Sequence, residues 1–281
     1  MRFALFITAT FLIAEVVGGI VSNSLALLAD AGHMLTDVGA LGLSLFVAWF
    51  SRQAASPQKT YGYLRWEILA ALLNGAALLV ISIWICVEAV LRFRTPEPIG
   101  TGVMLTVAVA GLLVNVAAAW ALHGSHQHNM NVRGAYLHVL GDLLASVATI
   151  TAAVVIQTTG WLQADPVASV LSTMLIVRGA WRLVSEAVDV LLEATPSHIA
   201  IDDVRARLSA VAHVESVHDL HVWTVTSGII AMSAHAIVRE AEQHQQVLEA
   251  IHDAMRDMDI GHVTVQLERS EMYDRELHLH P

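Results

Sequence analysis

Two segments of the sequence place a histidine and an aspartate four residues apart within long apolar stretches. One reads HMLTD, from His33 to Asp37, and the other reads HVLGD, from His138 to Asp142. Residues four apart lie on nearly the same face of an α-helix, about 6 Å apart along its axis. Each segment therefore predicts a helix that presents one imidazole and one carboxylate in the same direction.

If these two helices face each other, their side chains form a set of two imidazoles and two carboxylates. Such a set suits a tetrahedral divalent metal ion with ligand bonds of about 2.0–2.2 Å. Zinc fits this set best, and cobalt and other borderline ions fit less exclusively. A hydrogen-bonded pair within each helix and a site that carries protons alone are the alternative interpretations.

The cost of ionisable side chains in a membrane favours the metal site. Each one costs about 2.5–3.5 kcal/mol at the centre of a membrane helix on insertion scales, so two such pairs indicate a functional use. The predicted ligands are His33, Asp37, His138 and Asp142. Asp30 lies three residues before His33, where it either orients the imidazole or lines a water-filled path. No HExxH motif of a zinc protease occurs, and no nucleophile–base pair indicates another enzyme.

The composition separates a membrane part from a soluble part. Hydrophobic residues make up 56% of the chain and charged residues 14%, against about 25% charged in soluble domains. Crossing a hydrocarbon core takes about 20 helical residues. The predicted spans are residues 3–21, 26–50, 66–91, 101–122, 133–157 and 167–185. Residues 195–281 hold more than half of the acidic residues and two thirds of the histidines, so a soluble domain is predicted after an all-α membrane domain of residues 1–194.

Charge and the first span indicate how the chain lies in a membrane. The first span lacks a small-residue cleavage site and is interrupted by Glu15, so we interpret it as a retained helix and not a signal peptide. Lys and Arg are more numerous in the short loops on the side that holds both termini, which predicts cytoplasmic termini. The net charge of −10 argues against nucleic acid as a partner and suits cations.

The soluble part shows helices and strands in the order αββαβ. An amphipathic segment begins at Asp202. Alternating residues predict a strand in SVHDLHVWTVTSG, a turn at Gly228 and a second strand in IIAMSAHAIV. HQQVLEAIHDAM reads as a second helix, and HVTVQLE as a third strand. This order predicts a small α+β sandwich with a single core.

Motifs of high joint specificity extend along nearly the whole chain. They are SLALLADAGHMLTD (24–37), YGYLRWEILAALLN (61–74), HVLGDLLASV (138–147), ADPVASVLSTMLI (164–176), LLEATP (191–196), HDLHVWTVTSG (218–228), SAHAIV (233–238) and HVTVQLE (262–268). With these motifs the chain resembles the cation diffusion facilitator family, in its zinc-transporting subgroup of the bacterial zinc, cobalt and cadmium efflux type.

The resemblance implies an architecture and an activity. The architecture is a bundle of six transmembrane helices and a cytoplasmic ferredoxin-like domain, assembled as a homodimer in the cell (inner) membrane. The activity is proton-coupled export of Zn²⁺, with Cd²⁺ and Co²⁺ as further candidates, by alternating access at a site on the second and fifth helices. His218, His235 and Glu268 match positions that bind metal in several relatives, which implies Zn²⁺ as a regulatory ligand as well as the transported substrate.

Two further features of the sequence have open interpretations. The loop after the fourth span holds His123, His126 and His128, which either capture cytosolic metal weakly or belong to a solvated loop without a metal role. The loop after the second span has no His, Asp, Glu or Cys, so no metal site is predicted there. A membrane metal sensor that signals through the soluble domain without transport is the alternative function, although no kinase, cyclase or DNA-binding motif supports it.

Overall fold

The structure is a computed structural model, and it describes residues 2–50, 57, 59–123 and 130–269. Six long helices come first along the chain. They are α1 (Arg2–Ser22), α2 (Leu25–Phe50), α3 (Trp66–Arg94), α4 (Thr101–His123), α5 (Met130–Thr159) and α6 (Ala164–Leu191). Five of them are long and apolar enough to cross a membrane, and α2 contributes a shorter apolar stretch, Leu25–Thr36. The predicted helical membrane domain is thereby confirmed.

The described residues form two compact units. The first holds the described residues of 2–50, 70–123 and 130–184, and the second holds residues 57, 59–69 and 185–269. The first unit therefore holds most of the six helices, and we call it the membrane unit. The second holds the soluble domain together with the short segment before α3, a grouping that the sequence did not predict.

Small side chains bring the helices of the membrane unit close together. One buried cluster consists largely of alanines, with Leu27, Met104 and Ile156 as its larger members. On α1, a Cβ atom added to Gly18 would lie 2.8 Å from a methyl group of Val107, so only glycine fits there. Membrane helices lack a hydrophobic driving force for association, and close backbone packing of this kind supplies dispersion energy instead.

Asn23 ends α1 and turns the chain into α2. Its φ of 54° is left-handed, a conformation that asparagine tolerates better than most residues. The amide of Ser24 donates to the carbonyl of Gly19 at 3.0 Å, and the amide of Asn23 donates to that of Ile20 at 3.2 Å. These two hydrogen bonds satisfy the carbonyl groups of Gly19 and Ile20 at the end of α1. The next helix, α2, begins at Leu25.

The soluble domain has the predicted αββαβ order. Its elements are α7 (Ile201–Ser209), β1 (Val214–Thr226), β2 (Ile229–Val238), a 3₁₀ turn (Ala241–Gln243), α8 (His244–Arg256) and β3 (His262–Glu268). The sheet order is β1-β2-β3, with β2 antiparallel to β1 and parallel to β3. Gly228 has a φ of 75° in the hairpin turn between β1 and β2. Buried residues of both helices, among them Leu208 and Ile251, pack with Met232 of β2 in a single core.

The first turn of α3 is hydrogen-bonded to the β1–β2 hairpin. Glu67, in the first turn of α3, accepts hydrogen bonds from the hydroxyl groups of Thr226 at 3.0 Å and Ser227 at 2.9 Å. Arg65 forms an ion pair of 2.7 Å with Glu193. These contacts group the described residues around Arg65 and Glu67 with the soluble domain, and they join residues more than 120 positions apart.

Candidate metal centres

The helices that carry the two HxxxD pairs meet in the membrane unit. Nε2 of His33 on α2 lies 2.8 Å from Oδ1 of Asp142 on α5, at hydrogen-bond distance. Both side chains are largely buried, with 27% and 15% of their surface exposed. One member of each predicted pair is therefore in direct contact with a member of the other pair.

This contact is close to the geometry of a tetrahedral metal site. Two ligand atoms that each bind zinc at about 2.0–2.1 Å in a tetrahedral arrangement lie about 3.3–3.4 Å apart. The nitrogen and oxygen atoms of His33 and Asp142 are only slightly closer than this, at 2.8 Å. A shift of less than an ångström would exchange the hydrogen bond for two bonds to an ion.

The other two predicted ligands lie at neighbouring positions on the same helices. Asp37 follows His33 by one turn of α2, and His138 precedes Asp142 by one turn of α5. The side chains of Asp37 and His138 lie outside the described part of the structure. So do the side chain of His123 and residues 124–129, which include His126 and His128.

A buried carboxylate from α6 holds the beginning of α2. Asp165 accepts hydrogen bonds from the hydroxyl of Ser24 at 2.5 Å and from the amides of Leu25 at 2.8 Å and Ala26 at 3.2 Å. Both Ser24 and Asp165 are fully buried. The first amides of a helix have no partner within the helix and carry its positive dipole end, so a carboxylate there is stabilising. The sequence alone does not predict this contact, because Ser24 and Asp165 lie 141 positions apart.

Asp30 borders a cavity beside His33. The cavity measures about 160 Å³, and residues of α2, α5 and α6 line it. Asp30 is 5% exposed. The structure thus places Asp30 and His33 at a common space within the bundle.

A second set of metal-binding side chains lies on the sheet of the soluble domain. His218 on β1 faces His235 on β2 in the register of the two strands, and Glu268 ends β3 beside them. Ligand atoms of these three residues all lie within 4.8 Å of one another. The structure therefore brings together the three residues that the resemblance indicated.

Glu268 is the most deeply buried member of this cluster. It is 1% exposed, with Oε1 2.5 Å from Nδ1 of His235 and Oε2 3.7 Å from Nε2 of His218. Among the described residues, no group donates a hydrogen bond to Oε2. Gln266 donates to the other oxygen, Oε1, at 3.2 Å. A buried carboxylate oxygen without a donor is costly, and a bound cation would offset that cost.

Asp219 is a further candidate ligand that the sequence did not reveal. A bulge in β1 shifts the register between His218 and His221, and Asp219 has a left-handed φ of 47° there. Its Oδ2 lies 3.7 Å from Nε2 of His235, and its Oδ1 lies 2.9 Å from Nε2 of His221. In a regular strand Asp219 would point to the opposite face from His218, so only the bulge places both near His235.

Comparison with known proteins places this architecture in a family. The sequence model described as cation efflux transmembrane domain matches residues 1–192, and the model described as cation efflux protein, cytoplasmic domain, matches residues 196–270. The chain belongs to the cation efflux family. The first match covers α1 to α6, and the second covers the whole αββαβ domain of this cation efflux protein.

Several curated relatives are similar over most of their length. The zinc transporter ZitB of Escherichia coli K12 is 46% identical over 282 residues, which covers 99% of this chain and 90% of the relative. The cadmium, cobalt and zinc/H(+)-K(+) antiporter of Bacillus subtilis is 41% identical over 263 residues, which covers 92% and 85%. The metal cation efflux system protein CzcD of Cupriavidus metallidurans is 40% identical over 270 residues, which covers 95% and 85%.

One solved structure is similar to part of this cation efflux protein. It is the metal-bound C-terminal domain of the CzcD transporter of Cupriavidus metallidurans, at 33% identity. The similarity covers 25% of this chain and 99% of that domain, with a TM-score of 0.24.

Proposed function

We propose that this cation efflux protein is a proton-coupled antiporter that exports Zn²⁺, with Cd²⁺ and Co²⁺ as further substrates. The observation that carries the proposal is the 2.8 Å contact between His33 and Asp142, which joins the two HxxxD helices at one point. The similarity to a zinc transporter at 46% identity and to a cadmium, cobalt and zinc antiporter at 41% supports the substrate class and the exchange mode.

The transported ion is bound by His33, Asp37, His138 and Asp142. Two imidazoles and two carboxylates form a tetrahedral set that suits zinc and admits related borderline ions. Because the imidazoles must be deprotonated to bind metal, zinc and protons compete for the same nitrogen atoms. Alternating exposure of this site to the two sides of the membrane would then exchange zinc for protons.

The distribution of positive charge supports an orientation with both termini in the cytoplasm. Lys and Arg are concentrated at the end of the helices that bears both termini, and only Arg92 and Arg94 lie at the other end. The soluble domain then lies in the cytoplasm, and the α1–α2 turn faces the exterior. Arg92 donates to the carbonyl of Asn23 at 2.7 Å, so the end of α3 and this turn lie together. The protein acts as a homodimer in the inner membrane.

The cytoplasmic cluster of His218, His235 and Glu268 is a regulatory metal site. It is far in sequence from the transport site and lies in a separate unit of the structure. Binding of Zn²⁺ there neutralises part of the acidic charge of the domain, which favours contact between two copies. We therefore expect this site to change the rate of transport and not to be required for it.

Purified protein in proteoliposomes tests the proposal. The wild type should take up zinc when a pH gradient is imposed, whereas Asp37→Ala and His138→Ala should reduce uptake to background because three ligands hold the ion poorly. His252→Ala, an exposed histidine of α8, is the matched control and should transport normally. A metal sensor without transport activity would bind zinc but move none, in the wild type as in the variants.

A further inference from the structure

The cavity beside His33 is wide enough to hold water within the membrane unit. Its volume is about 160 Å³, whereas a cavity of about 10–15 Å³ is enough to hold one water molecule. Small residues keep it open, among them Gly141 and Ala145 of α5. A Cβ atom added to Gly141 would meet no other atom within 4 Å, so a larger side chain at this position would project into free space.

Asp30 contributes a carboxyl group to the wall of this cavity. Only 5% of its surface is exposed. Among the described residues, no Lys or Arg forms an ion pair with its carboxylate. A carboxylate inside a membrane bundle is costly unless it contacts a cation or water. The cavity leaves space for a cation or water molecules beside the carboxyl group of Asp30.

The position of Asp30 along α2 places the cavity on one side of the transport site. Asp30 precedes His33 by about one turn and lies nearer to the helix start at Leu25. In the proposed orientation, this end of α2 faces the exterior. On α5, Ala145 likewise lies beyond Asp142 toward the same end. The cavity therefore lies between the transport site and the side on which zinc is released.

We propose that Asp30 and this cavity form a release subsite for hydrated divalent cations, an inference that rests on the proposed zinc transport. Zinc leaving His33 exchanges an imidazole for the Asp30 carboxylate and water. Ser172 lines the same cavity and would offer its hydroxyl oxygen. An oxygen-only set binds zinc more weakly than a set with imidazoles. The subsite therefore speeds the step between the buried site and the exterior without holding the ion.

The test measures how fast an impermeant chelator removes bound zinc when added to each face of orientation-sorted proteoliposomes. All proteins carry His218→Ala and His235→Ala, so that only zinc in the membrane unit is followed. Asp30→Asn keeps the size of the side chain and removes its charge. Removal from the exterior face should slow by about tenfold or more, and removal from the cytoplasmic face should stay within about twofold. Asp30→Glu, which restores a carboxylate, should recover most of the rate.

Filling the cavity provides a second arm of the experiment. Gly141→Val should delay removal from the exterior face in the same one-sided way. Gly179→Val is the matched control on α6, because a Cβ there also meets nothing within 4 Å and the residue is exposed outside the cavity. Size-exclusion chromatography checks that each variant is folded, and if Gly141→Val is not, Asp30→Asn alone decides.

Three results would overturn the release subsite. One is an equal delay from both faces, which indicates a slowed conformational change. Another is a weaker equilibrium affinity for zinc in Asp30→Asn, which makes Asp30 a residue that orients His33. The third is an unchanged rate from both faces. Failure of the proposed transport itself looks different, because the wild type would then hold no zinc in its membrane unit for the chelator to remove.

Discussion

At the scale of single residues, the two candidate metal centres use the same donor types in different surroundings. In the membrane unit, His33 and Asp142 are partly exposed, at 27% and 15% of their side chains. In the cytoplasmic domain, Glu268 is 1% exposed between two imidazoles. We expect a bound ion to exchange with solvent more readily at His33 and Asp142 than at the more deeply buried Glu268. This difference suits a substrate site and a regulatory site.

Replacing one imidazole of the transport site should change its selectivity. His33→Asp exchanges a nitrogen ligand for oxygen, which makes the set harder and more flexible. We expect transport of Cd²⁺ or Mn²⁺ relative to Zn²⁺ to rise by about an order of magnitude. Competition between these metals in a proteoliposome flux assay measures the ratio. An unchanged ranking of metals would show that selection does not occur at His33.

Removing the buried carboxylate of the cytoplasmic site should separate metal binding from folding. Glu268→Leu replaces a buried charge by an apolar side chain of similar size, so the stability without metal should be retained or increased. Zinc at a hundredfold excess over its dissociation constant stabilises a single-site domain by about 2.7 kcal/mol. All proteins carry Asp37→Ala and His138→Ala, so that the proposed transport site adds no zinc effect. Thermal unfolding of the full chain should then show this increase with native Glu268 and with Glu249→Ala, an exposed control on α8, but not with Glu268→Leu.

At the scale of elements, α2 is positioned by helices that lie far from it in sequence. Asp165 of α6 accepts hydrogen bonds from Ser24 and from the first amides of α2. Further along α2, His33 contacts Asp142 of α5. The cap fixes the start of α2, and the rise of 1.5 Å per residue then sets how deep His33 lies in the bundle. The depth of the proposed transport site thus depends on a contact at the start of α2.

Loss of the cap should weaken the bundle and slow transport together. Ser24→Ala removes a hydrogen bond of 2.5 Å to Asp165, and loss of a helix cap costs about 0.5–2 kcal/mol. We expect a lower unfolding temperature in nanodiscs and a reduced zinc flux. Thr151→Ala is the control, because its exposed hydroxyl bonds only to its own helix. If Ser24→Ala unfolds and transports like this control, the cap does not position α2.

At the scale of the whole molecule, exchange of zinc for protons requires that one site serves both ions. An unperturbed histidine titrates near pH ~6.5, so imidazoles are largely free in a neutral cytoplasm and increasingly protonated at an acidic exterior. Zinc should therefore bind from the cytoplasm and be displaced by protons outside, and its affinity should fall as pH decreases through this range.

Vesicles with an enclosed pH indicator measure this coupling. Zinc added on one side should move protons the opposite way, and a pH gradient alone should accumulate zinc against its own gradient. His33→Asp, with one imidazole fewer, should show a smaller displacement of protons by zinc. Equal rates and extents of zinc movement with a normal, a reversed and no pH gradient would replace antiport by a passive pathway.

Local patterns in the sequence determined much of this molecule, and packing decided the rest. Hydrophobic length predicted six membrane helices, strand alternation predicted the αββαβ domain, and the four-residue spacing placed His33 with Asp37 and His138 with Asp142 on common helix faces. These features depend on residues close in sequence, where helix and strand geometry alone sets direction. The cytoplasmic cluster was indicated by family resemblance and not by spacing, since its three members lie on different strands.

Only the tertiary structure showed which distant residues meet. Asp165 lies in the first turn of α6, yet it caps α2 across 140 positions. Asp219 reads as part of a regular strand, yet a bulge turns it toward His235. The cavity beside Asp30 exists because small residues of α5 lie opposite it. Each of these contacts depends on how complete elements pack against each other, and periodicity within one element carries no information about its partner.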